Sequence, residues 1–250
     1  MSPSLTYLNI TASAIHYASF IALCVLLAPH FERGNIATYF FVPVLNETDQ
    51  MDAKTFDPMS KSIFSVGAAI LVECLWTASA HALYAYSSIR NGEDGFYLSQ
   101  LSDGVSTYRW CEYALSASLI WAIMAIYSGI RDTISIVFIF LCTSAVMYTG
   151  YISEKSKRAT FPIAVGFTIL FVQIIMTGIQ LGENTADIPD FVIPLFSVIV
   201  LLYCSFGIVR VVSAFAHENK PKLKSEVAYT ILSLTVKLIY RFVLASRVFK

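Results

Sequence analysis

The sequence predicts an all-α membrane protein, a bundle of seven transmembrane helices, and three observations lead to this fold class. Of the 250 residues, 56% are hydrophobic and only 14% are charged, whereas soluble domains have roughly 25% charged residues. The mean hydropathy is +0.65 over the whole chain, although a soluble protein of this size needs a polar surface. A hydrocarbon core of about 30 Å takes about 20 apolar residues per helical crossing, and segments of that length occur seven times.

The seven predicted spans are apolar runs separated by charged or turn residues. The first run lacks a basic N-terminal region and a small-residue cleavage site, so we expect a retained helix and not a signal peptide. Pro162, Pro194 and Gly129 fall near span ends, where helices tolerate them. No segment is left over for a soluble domain, and residues 1–250 are predicted to form one seven-helix domain. The predicted spans are 6–28, 62–88, 106–128, 133–152, 161–181, 191–216 and 226–248.

The charges and the cysteines argue against several classes of function. The 17 Lys and Arg residues balance the 17 Asp and Glu residues, so no net basic field exists to hold a nucleic acid. The five cysteines lie in apolar runs without CxxC spacing. They are therefore predicted to be small buried hydrophobic residues and not a disulfide framework or a zinc site.

The loops predict the orientation of the bundle. The loops after the second, fourth and sixth spans carry seven basic residues, and the opposite loops carry four basic residues with nine acids. The positive-inside rule then places the N-terminus in the cytoplasm and the C-terminus outside. The long first loop is therefore predicted to be extracellular, with a short β hairpin around the β-rich segment 39–45. Asn46 begins a glycosylation sequon in that loop.

Five ionisable residues lie far from the span ends: Glu73, Arg109, Glu112, Arg210 and Lys237. Such residues are costly in lipid unless they are paired or face a cavity. Lys237 is about 11 residues, or roughly 16 Å, from either end of the final span. Snorkelling is one interpretation, but it operates near helix ends. The alternatives are a desolvated lysine for covalent chemistry, such as a Schiff base with a carbonyl compound, or a member of a buried ion pair.

Arg109 and Glu112 lie one helical turn apart on the third span. One interpretation is an intrahelical ion pair that only fixes packing. If Lys237 is protonated, a site of three members on the third and seventh spans explains all three charges together. A protonated Schiff base in an apolar pocket would lose its proton without a nearby anion. Glu112 is the best candidate for that anion.

Two motifs resemble those of a known family. The third span contains Arg109-Trp-Cys-Glu-Tyr113 followed by Ala-Leu-Ser-Ala-Ser118, and the last contains Ala228-Tyr-Thr-Ile-Leu-Ser-Leu-Thr-Val-Lys237. They are similar to the third- and seventh-helix motifs of heliorhodopsins, retinal proteins with an inverted membrane orientation. The resemblance covers the seven-helix layout, and the orientation predicted from the loop charges agrees with it.

The resemblance implies specific roles for individual residues. All-trans retinal would be linked to Lys237, with Glu112 as its counterion and Ser233 forming a hydrogen bond near the Schiff base. His16 and His81 fall where the family has histidines that line a polar cavity on the cytoplasmic side of the chromophore. Taken singly, a histidine in such a position is more often a satisfied core residue than a proton acceptor.

The third span presents one face to the expected ligand. Arg109, Glu112, Tyr113 and Ser116 share that face, so Tyr113 and Ser116 are predicted to contact the ligand. Trp110 points about 100° away and is predicted to serve packing.

Several residues depart from the family pattern. Glu73 lies about two turns before His81, where the family is usually apolar, and Arg210 and Arg241 are unusual charges. The fifth span has Gln173-Ile-Ile where family members tend to have Pro-Trp. Glu73 is either part of a proton path or a protonated acid that forms a hydrogen bond to a neighbouring helix. Arg241 is predicted to reach the outer interface.

Three functional hypotheses follow. The first is a retinal photoreceptor that signals to an unknown partner and carries out no enzymatic reaction. The second is a light-gated or light-driven proton conductor that uses Glu73, Glu112 and the histidines. The third is a membrane protein without a chromophore. The resemblance also implies a homodimer in membrane lipid, and the plasma membrane is the expected location.

Overall fold

The computed structural model describes residues 3–29, 35–45, 51–92, 95–186, 188–215 and 221–247. Seven of its helices are long and apolar enough to cross a membrane. Their ends lie within five residues of the predicted boundaries. The helices are α1 (Pro3–Leu27), α2 (Val66–Asn91), α3 (Phe96–Asp103), α4 (Thr107–Tyr127), α5 (Thr133–Lys155), α6 (Thr160–Glu183), α7 (Val192–Phe215) and α8 (Pro221–Arg247).

The short helix α3 was not predicted. It is only 8 residues long and joins α2 to α4, so it lacks the apolar length by which the spans are recognised. It ends at Gly104, where φ is 83°, and the amide of Gly104 donates to the carbonyls of Gln100 and Leu101. A left-handed residue at this position favours glycine because it has no Cβ. The third and seventh spans of the sequence prediction therefore correspond to α4 and α8.

An antiparallel pair of strands joins the first two spans. Strand β1 (Asn35–Leu45) pairs with β2 (Met51–Ser65), from Asn35 opposite Ser65 to Leu45 opposite Met51. The pair contains the predicted segment 39–45 and is longer than the short hairpin that the sequence suggested. Ser65 caps α2 because its hydroxyl accepts from the amide of Ala68 at 3.3 Å. Asn46, the predicted glycosylation site, lies outside the described residues.

Helix α4 is the most deeply buried of the seven spans, with 14 of its 21 residues buried. It packs against α2, α5 and α7. The other spans expose large apolar side chains, such as Leu201 and Val212 on α7 and Phe242 on α8. Apolar residues on the outside are expected where the solvent is lipid. The charges far from the span ends accordingly point inward.

Candidate functional site

Lys237 is buried near the middle of α8, with 3% of its surface exposed. Its Nζ donates to Oε1 of Glu112 on α4 at 2.6 Å and to Oγ1 of Thr77 on α2 at 2.9 Å. The side chain therefore does not snorkel to an interface. The structure places it instead in a buried ion pair with Glu112, and these two residues belong to different helices.

Thr77 joins the ion pair to a second carboxylate. Its Oγ1 lies 2.7 Å from Oε1 of Glu112 and 3.3 Å from Oε1 of Glu73. Sequence reasoning missed Thr77 because a threonine within an apolar run carries no charge to attract attention. The signal that was available is its position one helical turn after Glu73, on the same face of α2.

Glu73 forms an ion pair with Arg241 of α8, and the prediction for Arg241 is corrected. Nε and Nη2 of Arg241 lie 2.9 Å and 2.8 Å from Oε2 of Glu73. Arg241 is buried and does not reach the outer interface. Glu73 is thus hydrogen-bonded to a neighbouring helix, its partner there is a cation, and Nζ of Lys237 is 3.9 Å from its other oxygen. A buried charge is retained where a partner of opposite sign offsets its desolvation.

The two histidines lie beside this pair of ion pairs. Nδ1 of His16 is 2.7 Å from Nη1 of Arg241. The rings of His16 and His81 stack with their centroids 5.7 Å apart. Nδ1 of His81 lies 2.8 Å from Oδ1 of Asn9 on α1. The histidines are therefore packed together on the side of Lys237 where Arg241 and α1 meet.

Arg109 does not contact Glu112, and its predicted place in a three-member site is wrong. Its guanidinium forms ion pairs with Glu154 of α5 and Glu226 of α8. The acceptors from two other helices converge on Arg109, while the carboxylate of Glu112 faces Lys237. Sequence reasoning missed Glu154 and Glu226 because charges near span ends are common. The α3 residue Tyr97 also joins this cluster.

Tyr97 and Trp110 complete the Arg109 cluster. The hydroxyl of Tyr97 donates to Oε1 of Glu226 at 3.1 Å. Burial raises the pKa of Tyr97 to about 12, so this hydroxyl keeps its proton at neutral pH. Nε1 of Trp110 donates to Oε2 of Glu154 at 2.8 Å. The cluster lies about 11 residues from Lys237 along α8, or roughly 16 Å.

A largely apolar cavity adjoins Lys237 between α4, α5, α6, α7 and α8. Tyr113, Ser116 and Ser233 line it, as the sequence predicted for Tyr113 and Ser116. Trp110 lines it as well, so the prediction that this residue serves packing alone is corrected. Phe206 of α7 packs edge-on against Tyr113, with ring centroids 5.4 Å apart.

Glycines keep this cavity open on its far wall. A Cβ at Gly150 of α5 would collide with the ring of Trp110, and one at Gly207 of α7 would collide with the ring of Phe167. The absence of these side chains lets aromatic rings lie directly on helix backbones. The width of the cavity therefore depends on glycine at these two positions.

Arg210 and Gln173, the other unusual residues, have local partners. Nε and Nη2 of Arg210 donate to the hydroxyl and the carbonyl of Ser153 on α5, at 2.5 Å and 2.7 Å. The amide nitrogen of Gln173 donates to the carbonyl of Ile139 at 2.9 Å and to Thr143 at 3.0 Å. Both residues thus tie α5 to a neighbouring helix, and Arg210 also borders the cavity.

The sequence matches the heliorhodopsin family over residues 5–249. The chain belongs to the heliorhodopsin family. It is thus a retinal photoreceptor-type protein and an integral, multi-pass membrane protein. No curated protein matches the chain.

Solved rhodopsin structures share the fold of this heliorhodopsin at low sequence identity. A light-driven proton pump from Coccomyxa subellipsoidea is 13% identical with a TM-score of 0.69, and the alignment covers 99% of this chain and 98% of that one. Exiguobacterium sibiricum rhodopsin is 11% identical with a TM-score of 0.68 and 99% coverage of both chains. A cyanorhodopsin from Calothrix is 11% identical with a TM-score of 0.68, covering 98% of this chain and 95% of that one.

The lining of the cavity suits the retinal chromophore that family membership implies. Its lining is mainly apolar, which suits a polyene, and the primary amine of Lys237 lies on its wall. Oγ of Ser116 is buried on the same wall without a hydrogen-bond partner among the described residues, so a polar group is left facing the space. An amine, an apolar cavity and a nearby carboxylate together suit a ligand with an aldehyde at the end of a long apolar chain.

Proposed function

We propose that this protein is a light sensor in which all-trans retinal is bound to Lys237 as a protonated Schiff base, with Glu112 as the counterion. The observation that carries the proposal is the 2.6 Å contact between Nζ of Lys237 and Oε1 of Glu112 at the wall of the apolar cavity. Condensation of the Lys237 amine with the aldehyde forms one C=N bond and releases one water. Bound retinal supplies absorption of visible light and a double bond that isomerises.

The residues around Lys237 then have distinct tasks. Glu112 offsets the positive charge on the Schiff-base nitrogen. Without this anion, desolvation would favour loss of the proton from that nitrogen. Thr77 accepts from the nitrogen and donates to Glu112, so it holds the two in register. Tyr113 is fixed because its hydroxyl donates to the carbonyl of Tyr229 at 2.9 Å, and its ring with Ser116 forms a stiff wall for the chromophore. Ser233 lies one turn before Lys237 and is assigned a hydrogen bond near the Schiff base.

The proposal includes an orientation and an assembly. The N-terminus faces the cytoplasm and the C-terminus the outside, since the loops after α2, α5 and α7 carry the larger number of basic residues. The strand pair then lies on the extracellular side. The protein acts as a homodimer in the plasma membrane, signals to a partner protein and carries out no enzymatic reaction.

Trapping the linkage tests the proposal. Retinal is added to the expressed protein, the pigment is reduced with borohydride, and the modified residue is located by mass spectrometry. We expect a visible band and a retinyl group on Lys237, no band in Lys237→Ala, and an unchanged band in Lys224→Ala on the same helix. Absence of a band in the native chain, or an intact band in Lys237→Ala, would overturn the proposal.

The second candidate function is a light-gated or light-driven proton conductor. A run of polar contacts favours it, since Glu112, Thr77, Glu73 and Arg241 follow one another within hydrogen-bonding distance and His16 continues the run. Buried carboxylates and histidines in such a run are typical of proton relays. Voltage-clamped cells separate the two functions. A light-evoked current that vanishes in Glu73→Gln supports conduction, and no current at any voltage or pH supports sensing.

A further inference from the structure

We propose that Glu73 is a second counterion of Lys237, that Arg241 holds it in position, and that Glu73 and Glu112 share the hydroxyl of Thr77. This inference rests on the proposed Schiff base at Lys237 and deepens it. It assigns a direct electrostatic role to a carboxylate that the sequence offered only as part of a proton path or as a protonated acid hydrogen-bonded to a neighbouring helix. Arg241 acts through Glu73 and is therefore a positioning residue.

The two oxygens of Glu73 are divided between two cations. Oε2 receives both Nε and Nη2 of Arg241, at 2.9 Å and 2.8 Å. Oε1 faces the other way, 3.9 Å from Nζ of Lys237. Nε is the hydrogen-bond donor and both contacts fall on one oxygen, so the guanidinium fixes the place of Oε2. With Oε2 occupied by Arg241, Oε1 is the oxygen of Glu73 that lies on the side of Lys237 and Thr77.

Thr77 stands between the two carboxylates and has only one proton to donate. Its Oγ1 is 2.7 Å from Glu112 and 3.3 Å from Glu73, and it accepts from Lys237 at 2.9 Å. A hydroxyl donates one hydrogen bond at a time. The shorter distance assigns that bond to Glu112, and rotation of the hydroxyl gives it to Glu73 when Glu112 loses its charge.

The four charged groups form a neutral set. Glu73, Glu112, Lys237 and Arg241 are all buried, with exposures of 0%, 2%, 3% and 2%. Two carboxylates beside a single buried cation would repel each other, and one would take up a proton. The guanidinium of Arg241 supplies the second positive charge. The set therefore matches two carboxylates with two basic groups.

Other ionisable groups also face this set from the helices packed around it. His16 of α1 contacts Arg241, and His81 of α2 interacts electrostatically with Glu112 and Lys237. The ring of Tyr113 on α4 lies 5.5 Å from Nζ of Lys237. On α7 and α8, Tyr203 and Tyr240 interact with Glu73. The two histidines are the members that titrate near neutral pH in water, so the titrations below are compared between variants that retain both.

The experiment is an alkaline titration of the visible band after addition of retinal. The decisive variant is Glu73→Gln combined with Arg241→Gln, which removes a neutral pair and leaves no uncompensated charge. We expect the proton affinity of the Schiff base to fall about tenfold or more, which lowers the midpoint by about one pH unit. The same double substitution should lower the midpoint further when it is made in Glu112→Gln and compared with Glu112→Gln alone. In that background Glu73 is the carboxylate that remains at Lys237.

The matched control is Glu226→Gln. Glu226 lies on α8 and, like Glu73, is a buried carboxylate paired with an arginine, in its case Arg109. Its replacement should leave the midpoint unchanged. If the Glu73→Gln, Arg241→Gln double variant has the same midpoint as the native pigment, the inference is wrong. This holds whether or not the triple variant, which also carries Glu112→Gln, forms a pigment. If the native chain forms no visible band with retinal, the proposed function itself fails. A band with an unmoved midpoint removes only the role of Glu73.

Discussion

Replacing Glu112 by Gln is the sharpest test of the electrostatics around Lys237. Gln has nearly the same shape and can still accept a hydrogen bond from Thr77, so the change mainly removes a charge. The Schiff base then loses its closest anion, and its proton should leave at lower pH. The visible band of the protonated form should also shift to longer wavelength.

The distances set the size of the expected effect. For unit charges at 2.6 Å and an effective dielectric constant of about 20, the Coulomb energy is about 6 kcal/mol. Glu73 at 3.9 Å already contributes about 4 kcal/mol on the same scale. If Glu73 closes to the same distance after the substitution, about 2 kcal/mol is recovered. At about 1.4 kcal/mol per pH unit, the midpoint should fall by about 3 to 5 units.

The assay is a spectroscopic titration of the purified pigment from acid to alkaline pH. Glu112→Asp keeps the charge and should shift the midpoint much less than Glu112→Gln. Glu226→Gln, at the other end of α8, should leave it in place. A titration of Glu112→Gln that overlays the native curve would refute the assignment of Glu112 and point to another anion.

Three further predictions concern acid, the cavity and the distant ion cluster. Acidification of the native pigment should shift the visible band to longer wavelength as Glu112 takes up a proton, and Glu112→Gln should lack this shift. A native spectrum that stays constant down to denaturing acid would count against Glu112 as the counterion. Gly150→Ala places a Cβ where the ring of Trp110 lies, so less pigment should form with retinal. An unchanged amount of pigment with an unchanged spectrum would contradict the role of Gly150 in the width of the cavity. Glu226→Gln leaves Arg109 with one carboxylate fewer and should lower the free energy of unfolding by about 3 kcal/mol. The measurement is thermal bleaching, which should be faster with an unchanged absorption maximum. Bleaching at the native rate would contradict a stabilising role of Glu226.

Much of the fold could be predicted because hydropathy and helix length alone decide what crosses a bilayer. The seven spans and the buried position of Lys237 follow from counting apolar residues on either side. The strand pair was indicated by the β-rich segment 39–45, but its length was not, since strand pairing depends on a partner strand. Helix α3 was missed because it is too short to stand out.

The candidate site was predictable only in part. The depth of Lys237 and Glu112 in their spans and the need of a buried cation for an anion led to the pair that the structure contains. The same reasoning placed Arg109 with Glu112, because it considered neighbours along one helix. In the folded protein, carboxylates from α5 and α8 lie closer to the guanidinium.

What the sequence by itself determined is that the charges far from span ends, such as Lys237 and Glu112, are buried, since that depends on position along an apolar helix. The burial of Arg241 and Glu226 was decided by the tertiary structure. Only the tertiary structure decided which of the buried charges pair, because a pair on different helices depends on how those helices rotate and pack. Arg241 meets Glu73 across 168 positions of the chain, and Lys237 meets Glu112 across 125. Thr77 shows the difference most plainly. It is an ordinary residue in the sequence, and it becomes the link between two carboxylates because α2, α4 and α8 converge on its hydroxyl.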